Sequence, residues 1–282
     1  MQLQTHAVPE MAVEEELDAK DPLRHLMGVE DSLVAVRDSS SQLLAFLPAQ
    51  SHSVEDGLLR LSFSCDRGGV PQPLNISLAV DASPGCGGIA WPAGQILATY
   101  LVQRDLGYLR DKNVLELGAG TGLVGLVAGE LEADCRVVIT DQAFVPSLRI
   151  IACTQLNTAF YRPLLPIMQK NVALNKLGSN VVVAELDWGS PIPTSIPKPD
   201  IILAADCVYF EPAFPLLVQT LADLADTSTE ILFCYKKRRK ADKRFFSMLK
   251  KRFSWKEVMD DPNREIYMKE AITLMRLFKR QK

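Results

Sequence analysis

Residues Asn113 to Asp141 read NVLELGAGTGLVGLVAGELEADCRVVITD, and few folds accept such a stretch. Val114, Leu115 and Leu117 form a short apolar run suited to a buried parallel strand. Gly118, Gly120 and Gly122 then crowd the chain, where only glycine turns so sharply and lets a ligand touch the backbone. Leu123, Val124, Leu126, Val127 and Leu131 follow at helical spacing, and Val137, Val138 and Ile139 make a second buried strand that ends on Asp141. Strand, glycine loop, helix and strand are the opening unit of an open α/β sheet, whose ligands lie at the carboxyl ends of the strands. An acid roughly 20 residues past the glycines suits a ribose, because a carboxylate accepts from two hydroxyls at once.

The ligand class has to be read from the loop itself. Gly120-Thr-Gly122-Leu-Val-Gly125 satisfies the dinucleotide fingerprint G-x-G-x-x-G, a weak match alone. Glu116 stands before the first glycine, and Glu116-Leu-Gly118-Ala-Gly120-Thr-Gly122 resembles the first motif of class I S-adenosylmethionine (AdoMet) methyltransferases. AdoMet has no pyrophosphate for a helix N-terminus to hold; it carries a sulfonium and an amino-acid end, and an acid near the loop complements them. A dinucleotide site, and a plain glycine turn beside a surface glutamate, stay open as alternatives.

Histidine narrows the chemistry. All three, His6, His25 and His52, precede the glycine loop, so a Ser-His-Asp or Cys-His nucleophile system and an H-E-x-x-H zinc site are excluded there. Methyl transfer needs no imidazole, since the cofactor supplies the electrophile and the protein positions the groups. The 282 residues, 48% hydrophobic, suffice for one sizeable core plus an extension. A net charge of −3 gives no global field toward nucleic acid or acidic membranes. No apolar run is long enough to span a bilayer, and the N-terminus lacks an apolar signal core. Six scattered cysteines without a C-x-x-C read as reduced thiols of a cytoplasmic or nuclear protein.

Taken in order, residues 1–24 are polar and acidic at Glu14-Glu15-Glu16, a composition expected of a disordered tail. Residues 25–84 hold short strand-like runs (Leu33–Val36, Leu43–Phe46, Leu58–Phe63, Leu74–Val80) between turn formers, an N-terminal β extension that could cap a sheet edge. Gly85 to Gly94 follow, with Trp91 in a glycine setting that implies close backbone approach, and then an amphipathic run Ile96–Leu106. After the central unit, helical spacing resumes at Leu164 and strands are expected at Val181–Ala184, Ile201–Ala205, Ile231–Tyr235 and Ala271–Lys279. Helices are expected at Phe214–Ala225 and, strongly basic, at Lys236–Arg252. That alternation predicts a parallel sheet with helices on both faces over residues 85–282.

The strand ends form a set: Glu116 with its glycines, Asp141, Asp187-Trp188, and Ala205-Asp206-Cys-Val-Tyr209, with Trp91 upstream. In this order they resemble the family 16 methyltransferases, the seven-β-strand protein-lysine methyltransferases, whose marks are a Trp before the first helix, the E-x-G-x-G-x-G loop and a D-x-x-Y motif after the fourth strand. Within that family the chain looks most like fungal members that methylate a lysine on translation elongation factor 1-alpha. The resemblance implies a Rossmann-like seven-stranded class I methyltransferase sheet and S-adenosyl-L-methionine as cofactor. It implies that Gly118, Ala119 and Gly120 hold the amino-acid end of AdoMet and that Asp141 accepts from the ribose. Trp188 would flank the adenine, with Asp187 at its amino group, and Trp91, Glu116 and Ala205 would complete the pocket. Asp206 and Tyr209 would face the incoming lysine of a protein substrate. Apart from the resemblance, the charge and the apolar pattern point to no membrane or nucleic acid partner, and the sequence offers no obvious interface, as expected of a monomer.

One departure from that pattern is large. Asp141 and a helical Asn171 stand 30 positions apart, and removing residues 143–162 restores a short spacing. Residues 143–162 therefore read as an insertion: a surface loop or a translated intron, with a lid beside the ribose site as the alternative. Sequencing the transcript separates these. The basic run Lys236-Lys-Arg-Arg-Lys240, with Lys243, Arg244 and Lys250-Lys-Arg252, leaves RNA or a small molecule open as the methyl acceptor, although a solvated helix face or an acidic protein partner explains it as well. A non-catalytic AdoMet-binding scaffold is the rival outside enzymes.

Overall fold

The computed structural model describes residues 57–67, 70–81, 88–142, 164–240 and 242–281. The expected acidic tail, the runs Leu33–Val36 and Leu43–Phe46, all three histidines and the insertion at 143–162 lie outside the described residues.

A hairpin comes first, β1 (Leu58–Arg67) against β2 (Val70–Ala79). The chain then alternates: α1 (Pro92–Val102), β3 (Asn113–Leu117), α2 (Leu123–Leu131), β4 (Arg136–Asp141), α3 (Leu165–Leu174), β5 (Val181–Glu185) and β6 (Ile201–Ala205). A 3-10 turn (Glu211–Ala213) leads into α4 (Phe214–Leu224), β7 (Glu230–Lys236), α5 (Asp242–Leu249), β8 (Phe253–Glu257), α6 (Arg264–Lys269) and β9 (Ile272–Lys279). The main sheet has seven strands in the order β5-β4-β3-β6-β7-β9-β8. Strands β5 to β7 in that order are parallel, whereas β9 runs antiparallel to both β7 and β8. The sheet is therefore mixed, and the expected parallel arrangement holds for five of its seven strands.

Alternation along the buried strands divides the core in two. Val114, Val137, Ile139, Ile201 and Leu203 point into one cluster with the helices α1 and α2. Leu115, Leu117, Val138, Ile202 and Ala204 point into the other, against α4 and α5. Helices thus cover both faces, as the alternation of elements required.

The hairpin does not cap a sheet edge. Its apolar face, Leu59, Leu61, Phe63, Leu74, Ile76 and Leu78, joins the first of these clusters, so that β1 and β2 lie on the helix layer formed by α1, α2 and α3. The outer edge of β2 is closed by side chains from α3. Asn171 accepts from the Ala79 N–H at 2.6 Å and donates to the Ala79 carbonyl at 3.2 Å. One turn on, Asn175 does the same for Ser77, at 2.8 and 2.7 Å. Two asparagines at i and i+4 face the same way on a helix, and here they stand where a third strand would pair.

Other elements differ from the sequence reading for local reasons. Helix α1 begins four residues earlier than expected because Pro92 supplies a pre-set first helical residue behind Trp91. The basic segment is helical only over Asp242–Leu249. Lys236 still pairs with Ile272 in the sheet, and the Asp242 carboxylate accepts the N–H groups of Arg238 and Arg239, which folds the intervening loop. Strand β8 and helix α6 were not expected at all.

Candidate active site

The carboxyl ends of β4, β3 and β6 stand side by side, flanked by β5 and β7, and the chain's order of strands reverses between β3 and β6. In open α/β sheets a crevice opens at such a reversal. The glycine loop and the strand-end acids expected from the sequence meet there.

Glu116 lies at the end of β3, buried, with both carboxyl oxygens turned under the start of α2. It accepts from the Val124 N–H at 3.2 Å and the Gly125 N–H at 2.8 Å. A helix N-terminus has unsatisfied donors, and a carboxylate satisfies them. Burial nevertheless pushes the Glu116 carboxyl up to about 8 against the pull of those two N–H groups. Glu116 thus shapes the glycine loop from beneath. The fit is tight: a Cβ on Gly125 would stand 2.8 Å from the Glu116 Oε2.

Gly118 adopts φ +65°, and a Cβ there would meet the Trp188 ring at 2.9 Å and the Cys207 sulfur at 3.1 Å. The loop therefore runs between the indole from the β5 end and the thiol from the β6 end. Asp141, at the tip of β4, accepts from the Gly120 N–H and the Gln142 N–H, both at 2.8 Å. Burial raises its carboxyl to about 6, opposed by those two donors. Asp187 differs from both: its Oδ1 is buried without a hydrogen-bond partner. A buried acceptor left open is costly unless a ligand donor completes it.

On the other side of the reversal, Ala205 ends β6 and is half-buried, close to Gly94 of α1. Asp206 follows with φ +56°, a conformation that Asp tolerates better than most residues. Its own N–H donates to the Cys234 carbonyl at 2.8 Å. Its carboxylate receives both terminal nitrogens of Arg238, each at 2.9 Å, and the Lys236 N–H at 3.0 Å. The Arg238 guanidinium also lies over the Trp91 ring, 5.3 Å from its centroid, so Trp91 and Asp206 are joined through it. Tyr209 sits in the half-buried loop ahead of the 3-10 turn.

The basic run is less open than its composition implies. Arg238 pairs with Asp206, Arg239 with Asp242 at 3.1 Å in a buried contact against Phe214, Arg244 with Glu211, and Lys236 lies 4.0 Å from Glu270. The sequence reading treated these cations as one patch. Nothing in the run itself marks Arg238 as the member that reaches the site. Asn171 had no assigned role; besides holding β2 it donates to the Thr121 carbonyl at 2.9 Å and so also fixes the glycine loop. Among the described residues, no helix is long and apolar enough to cross a membrane.

A family profile described as lysine methyltransferase matches residues 71–149 and 148–252. The protein-lysine N-methyltransferase EFM6 of Saccharomyces cerevisiae is 36% identical over 221 residues, covering 70% of this chain and 82% of that protein. The protein N-lysine methyltransferase METTL21A of Danio rerio is 35% identical over 190 residues, covering 67% and 78%. Among solved structures, fibrillarin of Methanococcus jannaschii superposes with a TM-score of 0.46 at 14% identity, over 80% of this chain and 92% of that one; the family rests on the sequence relatives. The chain belongs to the protein-lysine methyltransferases, enzymes that take their methyl group from S-adenosylmethionine.

Proposed function

We propose that this crevice is where the enzyme holds AdoMet and a lysine of its protein substrate, and that the acceptor is elongation factor 1-alpha. The observation that carries the site assignment is the juxtaposition, at the carboxyl ends of neighbouring strands, of the glycine loop, the two acids Asp141 and Asp187, and Asp206. The open Oδ1 of Asp187 fits a ligand that brings an amino donor, as adenine does. Gly118, Ala119 and Gly120 would hold the amino-acid end, Asp141 the ribose hydroxyls, Trp188 the adenine face, and Trp91 and Ala205 the remaining wall. Glu116 serves the same site from below, by fixing the loop.

When bound, AdoMet supplies an electrophilic methyl group. The protein's task is to present a neutral amine to it. A free lysine has a pKa of about 10.4. Burial in a narrow pocket lowers that value, because desolvation disfavours the ammonium. Asp206 would accept an N–H of the amine and so aim its lone pair, with Tyr209 narrowing the approach. An Asp carboxylate is too weak a base to deprotonate lysine by itself; orientation is its role. The finer choice of acceptor rests on the resemblance to fungal elongation factor methyltransferases alone; the similarity to a yeast protein-lysine methyltransferase supports a protein lysine as the acceptor group. We place the reaction in the cytoplasm or nucleus, acting as a monomer.

The test is tritiated AdoMet with cell lysate, then RNase or protease treatment, followed by the same assay on purified elongation factor 1-alpha. Label that survives RNase, is lost with protease and appears on that factor supports the reading. Label lost with RNase refutes it.

A further inference from the structure

We propose that Arg238 is a positioning residue for the acceptor amine: it fixes the Asp206 carboxylate in one orientation and offsets its charge, so that the amine enters and stays neutral. The inference rests on the reading that Asp206 receives the acceptor lysine.

Counting lone pairs on Asp206 gives the first half of the argument. An ionised carboxylate offers four acceptor positions. Oδ1 takes the Lys236 N–H at 3.0 Å and Arg238 Nη1 at 2.9 Å, and both its positions are filled. Oδ2 takes Arg238 Nη2 at 2.9 Å and keeps one position open. A bidentate guanidinium holds a carboxylate in a fixed plane, so that the open position has one direction. Arg238 is itself fixed, through its contact with the Trp91 ring. The two side chains are only 11% and 4% exposed, so solvent screens the pair little.

The second half concerns charge. A lone buried carboxylate stabilises an adjacent ammonium and typically raises an amine's pKa by about 1–3 units. Such an acid would bind the lysine tightly in its unreactive form. With Arg238 in place the pair is neutral overall, and Oδ2 can still accept one N–H. The surrounding groups do not substitute for it. Lys236 directs its ammonium toward Glu270, and Asp242 faces Arg239 and the loop N–H groups. The neighbouring Cys207 and Cys234 thiols are held well above their ordinary range by burial, with Asp206 itself and then Asp261 adding to the effect on Cys234. Asp141 adds negative charge on the glycine-loop side, and Glu116, its carboxyl raised to about 8, carries little charge at neutral pH; neither supplies a cation. Arg238 is the cation in contact with Asp206.

The experiment compares wild type, Arg238→Gln, Arg238→Lys and Asp206→Asn. Calorimetric AdoMet affinity within about threefold of wild type shows that each variant is folded. With saturating elongation factor 1-alpha, kcat against pH reports the ionisation of the bound amine. Arg238→Gln should move the acidic limb up by about one unit or more, lower kcat at pH 7.5 about tenfold, and recover as pH rises. Arg238→Lys should fall between. An unmoved limb, or a kcat that increases because the guanidinium had been blocking the site, overturns the proposal. Nitrogen-15 spectra of the arginine side chains give a readout that needs no acceptor. The Arg238 Nη protons should be resolved and slow to rotate in wild type and averaged in Asp206→Asn; averaged signals in wild type also overturn it. If wild type fails to label the factor, or Asp206→Asn keeps full turnover, the acceptor or site reading has failed instead, and the spectra still decide the pairing.

Discussion

Replacing Asn171 by Ala tests how the N-terminal hairpin and the glycine loop are tied together. Asn171 is fully buried and its amide makes three hydrogen bonds, two to Ala79 and one to the Thr121 carbonyl. Alanine leaves one N–H and two carbonyls without their partner in a site that water does not reach. A buried polar group left unsatisfied costs about 1–3 kcal/mol. Partial relaxation of the hairpin brings the expected loss to about 3–5 kcal/mol, a large share of the roughly 5–15 kcal/mol that holds a domain folded. Asn175→Ala removes an analogous pair of bonds to Ser77 and one to the Asn171 carbonyl, but the site is only half-buried, and water can replace the amide. It should cost about 1 kcal/mol.

The assay is urea and thermal unfolding of both variants beside wild type. For a chain of this size Asn171→Ala should lower Tm by on the order of 10 °C and Asn175→Ala by about 2–4 °C. Because Thr121 belongs to the loop that carries Gly120 and Gly122, Asn171→Ala should also weaken AdoMet binding, and Asn175→Ala should not. Equal losses from the two variants would refute the argument, since both make bonds to the same strand edge and burial is what separates them. Loss of stability with unchanged AdoMet affinity would show that the contact with Thr121 does not hold the loop.

Three further outcomes follow from the site. Asp206→Ala should abolish methyl transfer while calorimetry still detects AdoMet binding; full turnover would remove Asp206 from the chemistry. Gly118→Arg should lose both, because any side chain at φ +65° meets Trp188 and Cys207, and unimpaired AdoMet binding would contradict that packing. With its carboxyl raised to about 6, Asp141 should accept ribose hydroxyls fully at neutral pH and progressively less in acid. AdoMet affinity should therefore fall by up to about tenfold per unit below pH 6, and Asp141→Asn should be weaker and flat; a flat wild-type profile down to pH 5 would be inconsistent with the assignment.

The glycine loop and the strand-end acids were legible because each depends on residue types with few alternative uses. Gly118, Asp141, Asp187 and Asp206 stand at the ends of runs whose apolar character is unmistakable, and the sheet places them together. The far edge was not legible. Strand β8, Phe253-Ser-Trp-Lys-Glu257, turns only Phe253 and Trp255 inward, and so short an alternation beside a basic helix carries little signal. The antiparallel entry of β9 depends on the chain between it and β8, which no local pattern reports. Arg238 was hidden for a different reason: five consecutive cations look alike in sequence, and only tertiary contacts separate the one that binds Asp206 from the one buried against Phe214. Glu116 was expected as a pocket residue because it precedes the glycines, yet its side chain points down to α2, a direction that follows from the strand's two-residue period and not from the motif.

These placements share a physical logic. Three of the four acids at the crevice already accept from backbone N–H groups: Glu116 from α2, Asp141 from the glycine loop and the start of the next segment, Asp206 from β7. Each thereby joins a strand end to a neighbouring element, and each is oriented before any ligand arrives. A site arranged in advance loses less free energy to ordering when it binds. Asp187 is the exception, with an oxygen buried and open. If that vacancy belongs to the ligand, Asp187→Asn should disturb AdoMet binding far more than it disturbs folding, because no bond within the protein is broken. Should it instead destabilise the apo enzyme as strongly as Asn171→Ala, Asp187 would have to be holding the fold, and the adenine amino group would need another partner.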